Sequence, residues 1–347
     1  MKVLLVIPSK LKTGIEAQVA RNNHPTMDYY ALAHELQVCG AEVDFLDKTS
    51  VAASRLPCDL ALAIAAAKDA GKYDAIFTNS ESISIPLALL LRARSHRPRH
   101  VTIAHKLTSG KKALFFRRLK AHREIDTLFV YAATQRDFGI NSLGIDPGKL
   151  RLIHFHADED FFQPTGVPLL VPPQFCSAGL EWRDYPTLVE TARLLPDCTF
   201  KIAAASPWSK HRNELAGLEL PDNVSARLYD YEELRTLYSE SIAAIIPLYE
   251  NDFQAGVTTI LEAMSVGKPV IATRTTGQRD VIDDEVTGLY VPPGDPSALT
   301  EAVIRLRDDQ NLRTKLGENA RAWLVQNASL KKWSTTIAKD ILTERSV

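Results

Sequence analysis

The sequence predicts an α/β protein built from two doubly wound domains. Short runs rich in β-branched residues alternate with helical patterns from end to end, which is typical of parallel sheets covered by helices. The pattern restarts after a proline-rich stretch at residues 163–173, which we interpret as an interdomain linker. The 347 residues, of which 45% are hydrophobic, are enough for two separate cores.

Six strands are predicted in the first half of the chain. Residues 1–8 are apolar but short and carry no cleavage site, so they indicate a buried first strand and not a signal peptide. The predicted strands are 3–7, 42–46, 75–78, 101–104, 128–130 and 152–155, and the helices between them are 27–38, 60–70, 83–94, 112–122 and 135–141.

The second half repeats the alternation after the linker, so we predict one domain at residues 1–163 and another at 164–327. The predicted strands are 175–178, 200–204, 243–247, 270–273 and 289–291, and the predicted helices are 184–195, 232–239, 257–266 and 296–308. Ligands of such sheets bind beyond the carboxyl ends of the strands.

Residues 254–273 carry the strongest functional signal, because they predict a loop, a helix and a buried strand. Gly256 has no Cβ, so its backbone can approach a ligand closely. Val257, Thr258 and Thr259 open the helix with N–H groups that lack an intrahelical partner. Such an end carries about half a positive charge and attracts phosphate. We predict that these four residues bind a diphosphate.

Glu262 follows Thr258 and Thr259 by four and three residues, so it lies on the same face of the helix. It stands one turn further on, roughly 5–6 Å along the axis. A carboxylate there can accept hydrogen bonds from two neighbouring sugar hydroxyls. A phosphate followed by a ribose diol is the pattern of a nucleotide diphosphate.

At these residues the chain resembles the retaining GT-B glycosyltransferases of the family 4 type. Their signature is a glutamate, seven residues and a second glutamate, followed by Ala-Met and Gly-Lys-Pro-Val-Ile. Residues 262–264 read Glu-Ala-Met and residues 267–271 read Gly-Lys-Pro-Val-Ile. Residues 276–282 are similar to the family's glycine-rich turn, and residues 288–295 to the strand and turn that close its site.

The resemblance implies two facing Rossmann-like domains with parallel sheets and an interdomain cleft. It also implies that the last helices, near 312–325 and 330–342, cross back, with residues from about 328 to 347 packing on the first domain.

Two family positions differ in this chain. The first glutamate of the signature, which touches the donor sugar in the family, is Gln254, and an amide keeps hydrogen-bonding capacity without charge. Glu250 replaces it only if the loop is rearranged. The family's diphosphate-binding arginine and lysine fall on the loop 179–185, where Leu180 occupies the arginine position and Arg183 is the candidate for the lysine's role.

The resemblance implies transfer of a sugar, of the hexosyl type, from a nucleotide-diphosphate donor to a hydroxyl acceptor with retention. A double displacement needs a carboxylate nucleophile, but Glu262 is assigned to the ribose and Gln254 is uncharged. A same-face substitution needs only a stabilised leaving phosphate, which the helix start and Arg183 would supply. No metal and no other cofactor is expected, because helix dipoles and basic side chains hold the diphosphate.

Two residues of the first domain complete the predicted site. His105 directly follows the strand at 101–104, where the family places a histidine near the donor sugar; the alternative is a capping or solvent-facing histidine. Gly14 is what remains of the family's glycine-rich loop after the first strand, near donor phosphate and acceptor; the alternative is an ordinary turn.

Residues 82–123 contain eleven lysines or arginines and no acidic residue. This basic face, with Phe115 and Phe116 in it, suggests peripheral contact with an anionic membrane. An acidic acceptor, or a solvated helix with both phenylalanines in the core, are the alternatives. The net charge of −1 argues against nucleic acid as a partner.

Other sites and functions were weighed against this interpretation. His154, His156 and Asp158 resemble a metal site only superficially, and no metal is predicted. The expected partners are a nucleotide sugar and a carbohydrate or lipid-linked acceptor, in cell-surface polysaccharide or glycolipid assembly. We expect a cytoplasmic protein, peripheral on the inner face of the plasma membrane. The alternatives are a non-catalytic nucleotide-sugar-binding or scaffold protein and a sugar-nucleotide epimerase or hydrolase.

Overall fold

The computed structural model describes residues 1–94, 97–108, 110–203 and 217–343. The chain divides into two units by its internal contacts. The first consists of Met1–Glu16, Thr26–His154 and the chain from Trp333 onward, and the second of Ala17–Pro25 and Phe155–Lys332. Ala204, the last residue of one predicted strand, and residues 344–347 lie outside the described residues.

The described part of the first unit contains a six-stranded parallel sheet with the strand order β2-β1-β3-β4-β5-β6. Its strands are β1 (Lys2–Val6), β2 (Glu42–Leu46), β3 (Ala75–Thr78), β4 (Arg99–Ala104), β5 (Thr127–Val130) and β6 (Leu150–Leu152). Four of the five β1 residues are buried, as expected for a strand covered by helices on both faces. Leu4 pairs with Asp44 on one side and Ile76 on the other.

Helices α1 to α6 fill the intervals before residue 150. They are α1 (Ile15–Ala20), α2 (Asp28–Val38), α3 (Cys58–Asp69), α4 (Glu81–Leu91), α5 (Gly110–Leu119) and α6 (Ala133–Leu143). The helix predicted at 112–122 ends earlier, because Lys120 adopts a left-handed backbone with φ of 50°. A 3-10 helix at Ala121–Glu124 then leads into β5.

The described part of the second unit contains another six-stranded parallel sheet, in the order β12-β11-β10-β7-β8-β9. Its strands are β7 (Gln174–Ala178), β8 (Thr199–Ala203), β9 (Val224–Arg227), β10 (Ala244–Ile246), β11 (Val270–Thr273) and β12 (Leu289–Val291). Its helices are α7 (Tyr185–Leu194), α8 (Tyr231–Glu240), α9 (Val257–Ser265), α10 (Pro296–Asp308) and α11 (Gln310–Asn327), and α12 (Leu330–Ile341) follows.

Two strands differ from the sequence prediction. β9 was not predicted, because it is an edge strand with one buried and three exposed residues, so it lacks the apolar run of an inner strand. The strand predicted at 152–155 lies at Leu150–Leu152 instead. Its pairing stops there because β5, its neighbour in the described part of the sheet, ends at Val130, which pairs with Leu152.

The two phenylalanines of the basic face have different environments. Phe116 is fully buried in the core beneath α4 and α5, whereas Phe115 is 44% exposed. Consecutive helical residues point about 100° apart, so the pair cannot share one face. Leu114 and Leu119 are exposed beside Phe115. Within the described residues, no helix combines the length and the apolar content that crossing a bilayer demands.

The end of α12 is fixed to the first unit by a buried carboxylate. The side chain of Asp340 is 1% exposed and lies 3.0 Å from Nη2 of Arg99 and 2.5 Å from Nη1 of Arg151. Nε of Arg99 also donates to the carbonyl of Asp340 at 3.0 Å. Two cations and a backbone contact therefore hold the last turn of this helix against β4 and β6.

Replacing Asp340 with alanine should loosen α12, because Arg99 would keep a largely buried charge without its carboxylate. Breaking one side of a buried ion pair costs about 3 kcal/mol, which corresponds to roughly hundredfold faster hydrogen exchange at 330–341. Asp137→Ala is the matched control, since Asp137 forms an exposed ion pair with Arg136 in the same unit. Equal exchange rates at 330–341 in the two variants would contradict this assignment.

Candidate functional site

The start of α9 lies at the carboxyl edge of the second sheet, after β10. Gly256 precedes the helix with φ of 77°, in the left-handed region that favours glycine. A Cβ at this position would lie 2.7 Å from Cγ2 of Ile246 and 3.2 Å from Nη1 of Arg183. Conformation and space therefore both require glycine here. The helix has no capping side chain at its start, so its first N–H groups have no partner within the helix; that of Val257 donates to the carbonyl of Gln254 at 3.4 Å.

Arg183 lies buried directly behind this helix start, with 4% of its surface exposed. Its Nε donates to the carbonyl of Ala178 at 2.9 Å and its Nη1 to the carbonyl of Glu181 at 2.8 Å. Its Nη2 donates to Oγ1 of Thr259 at 3.3 Å. Burial lowers the pKa of Arg183, but a guanidinium stays charged in proteins. The arginine therefore ties the end of β7 to α9 and places a positive charge beside its N-terminus.

Gly179 provides space for the same guanidinium on its other side. Its φ is 91°, and a Cβ there would lie 2.6 Å from Nη2 of Arg183. The loops after β7 and β10 also bind each other through their backbones. The N–H of Asp184 donates to the carbonyl of Pro247 at 3.0 Å, and that of Tyr249 to the carbonyl of Trp182 at 3.1 Å. Leu180, at the family's arginine position, packs against the hydrophobic core instead.

Glu262 lies in the second turn of α9 and is 8% exposed. Its Oε2 accepts a hydrogen bond from the hydroxyl of Tyr238 at 2.8 Å. Burial raises the pKa of Glu262 to about 7, and the Tyr238 bond partly offsets that rise. Burial also raises the pKa of Tyr238 well above its ordinary value, so the phenol stays a donor. One carboxylate oxygen is thus oriented by Tyr238, while the other has no hydrogen bond to any described residue.

Gln254 lies on the loop that enters α9, and its side-chain oxygen is buried without a hydrogen-bond partner among the described residues. Its Nε2 lies 3.5 Å from Oδ2 of Asp280. A buried acceptor that lacks a donor costs about 1–3 kcal/mol, so this oxygen is suited to a donor group of a ligand. Glu250 does not reach this position, because its carboxylate accepts from the backbone N–H of Thr276 at 2.8 Å.

The loop at residues 249–256 is held in shape by the turn predicted at 276–282. The N–H of Gly277 donates to the carbonyl of Asn251 at 2.9 Å, and a Cβ on Gly277 would overlap the backbone of Phe253. Gln278 is fully buried, and its Nε2 donates to the carbonyl of Ala255 at 3.0 Å. The glycine-rich turn therefore positions Gln254 and Gly256.

The two predicted residues of the first unit lie at the carboxyl edge of its sheet. His105 follows β4 with an exposed side chain, and its Nε2 lies 3.3 Å from the carbonyl of Asn79, after β3. Its backbone N–H donates to the buried carboxylate of Glu81 at 3.0 Å. Gly14 precedes α1 with φ of 77° and open space where a Cβ would be. The positive φ is what requires glycine at this turn.

The second unit brings together Arg183, Gln254, Glu262 and the four residues from Gly256 to Thr259, all on α9 or on the loops beside its start. Tyr238 and Gly179 were missed by sequence reasoning as site residues. Tyr238 is separated from Glu262 by 24 positions and gave no pattern. Gly179 follows the strand predicted at 175–178 and opens the loop 179–185, and that position was the signal for it. Among the described residues, no group of three or more His, Cys, Asp or Glu side chains is placed to hold a metal ion.

Comparison with known proteins agrees with the motifs of the second unit. Residues 181–323 match the family model of the glycosyl transferases group 1. The alpha-D-kanosaminyltransferase of Streptomyces kanamyceticus is 33% identical over 134 residues, which are 38% of this chain and 34% of that protein. An exopolysaccharide phosphotransferase of Streptomyces coelicolor is 27% identical over 287 residues, or 78% of this chain and 28% of that protein. The chain thus spans about a third or less of the length of these curated relatives.

Solved structures share the fold over nearly the whole chain. Sucrose-phosphate synthase from Thermosynechococcus elongatus aligns with a TM-score of 0.74 and 18% identity, covering 98% of both chains. HepE of Anabaena, solved in complex with UDP-glucose, aligns with a TM-score of 0.71 and 16% identity, covering 99% of both chains. The expected GT-B fold and the resemblance to group 1 glycosyltransferases are confirmed.

The raised pKa of Glu262 predicts a pH-dependent cost of folding. The folded protein retains a proton on this carboxyl up to about pH 7, whereas the ordinary pKa is 4.5, so the folded state binds more protons in between. The free energy of unfolding must therefore fall as pH rises from 4.5 through about 7. Glu262→Gln removes this effect and should be more stable than the parent at pH 8, by more than it is at pH 5.

Urea denaturation of both proteins at the two pH values measures this difference. Glu318→Gln is the control, because Glu318 is exposed on α11 of the same unit and should leave the pH dependence unchanged. A Glu262→Gln difference that is the same at pH 5 and pH 8 would show that the carboxyl is ionised throughout.

Proposed function

We propose that this chain, which matches the glycosyl transferases group 1 over residues 181–323, is a retaining glycosyltransferase that moves a hexosyl group from a nucleotide-diphosphate donor to a hydroxyl acceptor. The observation that carries the proposal is the start of α9, where an uncapped helix end, a buried arginine and a buried carboxylate occur together. Each element matches one part of a nucleotide sugar: the diphosphate, its developing charge, and the ribose.

The diphosphate is assigned to the N–H groups at Gly256, Val257, Thr258 and Thr259. Their helix dipole and the charge of Arg183 act on the same place, since Nη1 of Arg183 would lie 3.2 Å from a Cβ on Gly256. Negative charge develops on the leaving phosphate as the glycosidic bond breaks. Donors that are fixed in advance stabilise that charge without reorganisation, and loss of one such donor costs about 3–4 kcal/mol of barrier. No metal is required in this scheme.

The ribose is assigned to Glu262. Its Oε2 is bound to Tyr238, so its other oxygen is available for a ribose hydroxyl. An ionised carboxylate accepts stronger hydrogen bonds than a neutral acid. The pKa of about 7 means that binding of a nucleotide, whose hydroxyls donate to this carboxylate, favours the ionised form.

In the second unit, the donor sugar is assigned to Gln254. In the first unit, His105 is proposed to contact the donor sugar, and Gly14 the donor phosphate and acceptor. The unpaired oxygen of Gln254 offers an acceptor for a sugar hydroxyl. Gln254 is neutral, and the Glu250 carboxylate is bound to Thr276, so neither is placed as a nucleophile. We therefore favour a same-face substitution, in which the leaving phosphate takes the proton of the acceptor hydroxyl.

The acceptor is proposed to be a carbohydrate or a lipid-linked sugar in cell-surface polysaccharide or glycolipid assembly, on the cytoplasmic face of the membrane. The exopolysaccharide enzyme among the relatives supports this setting. The exposed Leu114, Phe115 and Leu119 on α5, beside basic residues, support peripheral contact with anionic lipid.

A non-catalytic nucleotide-sugar-binding protein is the second candidate. It is favoured by Leu180, which packs against the core where the family has an arginine, and by the neutral Gln254. An epimerase or hydrolase would use the same donor site without an acceptor. The three functions differ in product release, so one assay separates them.

Glu262→Ala should weaken nucleotide binding about ten- to hundredfold, because a hydrogen bond to a charged group contributes about 1.5–3 kcal/mol. Calorimetric titration with UDP, GDP and ADP measures this, using whichever nucleotide binds the parent. Glu318→Ala, a loss of an exposed glutamate in the same unit, is the control and should bind as the parent does. Equal affinities for the parent and Glu262→Ala would place the ribose elsewhere.

Release of nucleoside diphosphate from a sugar-nucleotide panel, with and without a membrane extract as acceptor source, tests the activity. Transfer predicts release that depends on acceptor, with the sugar's anomeric configuration retained in the product. Release without acceptor would instead favour hydrolysis, conversion of one sugar nucleotide into another would favour epimerisation, and binding without either change would favour the non-catalytic candidate.

A further inference from the structure

A cavity of about 480 Å³ lies in the first unit, beside the exposed end of α5, and no residue assigned to the donor site lines it. The end of α5, the end of α6 and the segments that lead into β5 and β6 form its walls. Its polar lining consists of Arg117, Lys120, His122, Arg123, Asp146 and Lys149. Its size is typical of a site for a small organic ligand.

The cavity lies at the edge of the sheet opposite to the predicted donor and acceptor residues of this unit. The segments at 120–126 and 144–149 precede β5 and β6, so they lie at the amino ends of these strands. His105 and Gly14 follow the carboxyl ends of β4 and β1. In a parallel sheet these are opposite edges, so the cavity is a separate site.

Four cationic side chains line this cavity against the single carboxylate of Asp146, although the whole chain has a net charge of −1. Glu124 lies 3.3 Å from Arg92 and 3.6 Å from Arg97, and Asp126 lies 3.6 Å from Arg97, so both acids pair with arginines outside the lining. The fold therefore concentrates positive charge around this cavity, although the chain as a whole is close to neutral.

The cations are held in place by backbone carbonyls. Nζ of Lys149 donates to the carbonyls of Arg123 and Ile125, both at 2.9 Å. Nε of Arg117 donates to the carbonyl of Ser142 at 3.0 Å, which fixes its guanidinium and leaves its two terminal nitrogens for other acceptors. A site whose cations are already oriented loses less side-chain entropy when an anion binds.

His122 reports the electrostatic state of the cavity. It is 9% exposed and lies with its ring centroid 6.5 Å from that of the buried Phe116. Burial lowers the pKa of His122, and the charges of Lys149, Arg123, Lys120 and Arg92 lower it further. An anion bound among these cations would offset their field and raise the pKa of the histidine.

We propose that this cavity is a binding site for a phosphoryl group, carried either by a soluble phosphorylated metabolite or by a lipid headgroup. A dianionic group matches several converging cations better than a carboxylate does, and guanidinium groups bind phosphoryl oxygens through paired hydrogen bonds. The inference is independent of the proposed glycosyl transfer, because it uses no residue of that site.

Binding of inorganic phosphate, measured by calorimetry at constant ionic strength, tests the site, with acetate as the monoanionic comparison. Phosphatidic acid vesicles in a phosphatidylcholine background, against pure phosphatidylcholine, are the lipid probe. The variants are Arg123→Glu and Lys120→Gln, whose side chains line the cavity. Arg118→Glu is the control for Arg123→Glu, since Arg118 is exposed on α5 but outside the lining. Circular dichroism checks that each variant is folded.

Arg123→Glu should weaken binding of the active probe at least tenfold and Lys120→Gln several-fold, while Arg118→Glu stays within twofold of the parent. Phosphate, but not acetate, should raise the pKa of His122 followed by NMR. Saturable binding of phosphate assigns a soluble ligand; binding only to phosphatidic acid vesicles, with the same ranking of variants, assigns a headgroup. Equal losses in Arg118→Glu and Arg123→Glu, or binding of neither probe by the parent, would overturn the proposal.

Discussion

The candidate donor site depends on one buried charge. A guanidinium removed from water must find hydrogen-bond acceptors within the protein, and Arg183 finds them in the carbonyls of Ala178 and Glu181 and in Thr259. These acceptors belong to the end of β7, the loop after it and the first turn of α9. The requirement for acceptors therefore fixes the spacing of three elements, and it requires glycine at 179 and 256, where a Cβ would meet the guanidinium.

Burial also determines the pKa of Glu262, the acidic residue of the site. Burial raises the pKa of Glu262 to about 7, and among the described residues the Tyr238 hydroxyl alone offsets part of this rise by donating to the carboxylate. Because ionisation of this buried carboxyl is costly, a ligand that supplies hydrogen-bond donors stabilises its ionised form. Arg183 and Glu262 thus give α9 a positive start and a carboxylate further along. A nucleotide diphosphate is complementary to both, because its diphosphate is anionic and its ribose hydroxyls donate hydrogen bonds.

Charge is also segregated in the first unit. Asp340 pairs with Arg99 and Arg151 and fixes α12, while Glu124 and Asp126 pair with Arg92 and Arg97. The basic run seen in the sequence is therefore not one uniform face. Part of it is structural and part is exposed on α5 beside Phe115, while Arg117, Lys120 and Arg123 line a single cavity together with Lys149.

The sequence by itself determined the alternation of strands and helices, the restart after the linker, and the motif around Glu262, because these depend on local periodicity and on residues close in the chain. It did not indicate β9, whose three exposed residues leave no apolar run, or the separation of Phe115 from Phe116. Only the tertiary structure decided that Tyr238 orients Glu262, that Arg183 lies between Gly179 and Gly256, and that Glu250 is bound to Thr276. These contacts join residues from different loops and helices, and their pairing is set by how the sheet brings its carboxyl edges together, which no local pattern records.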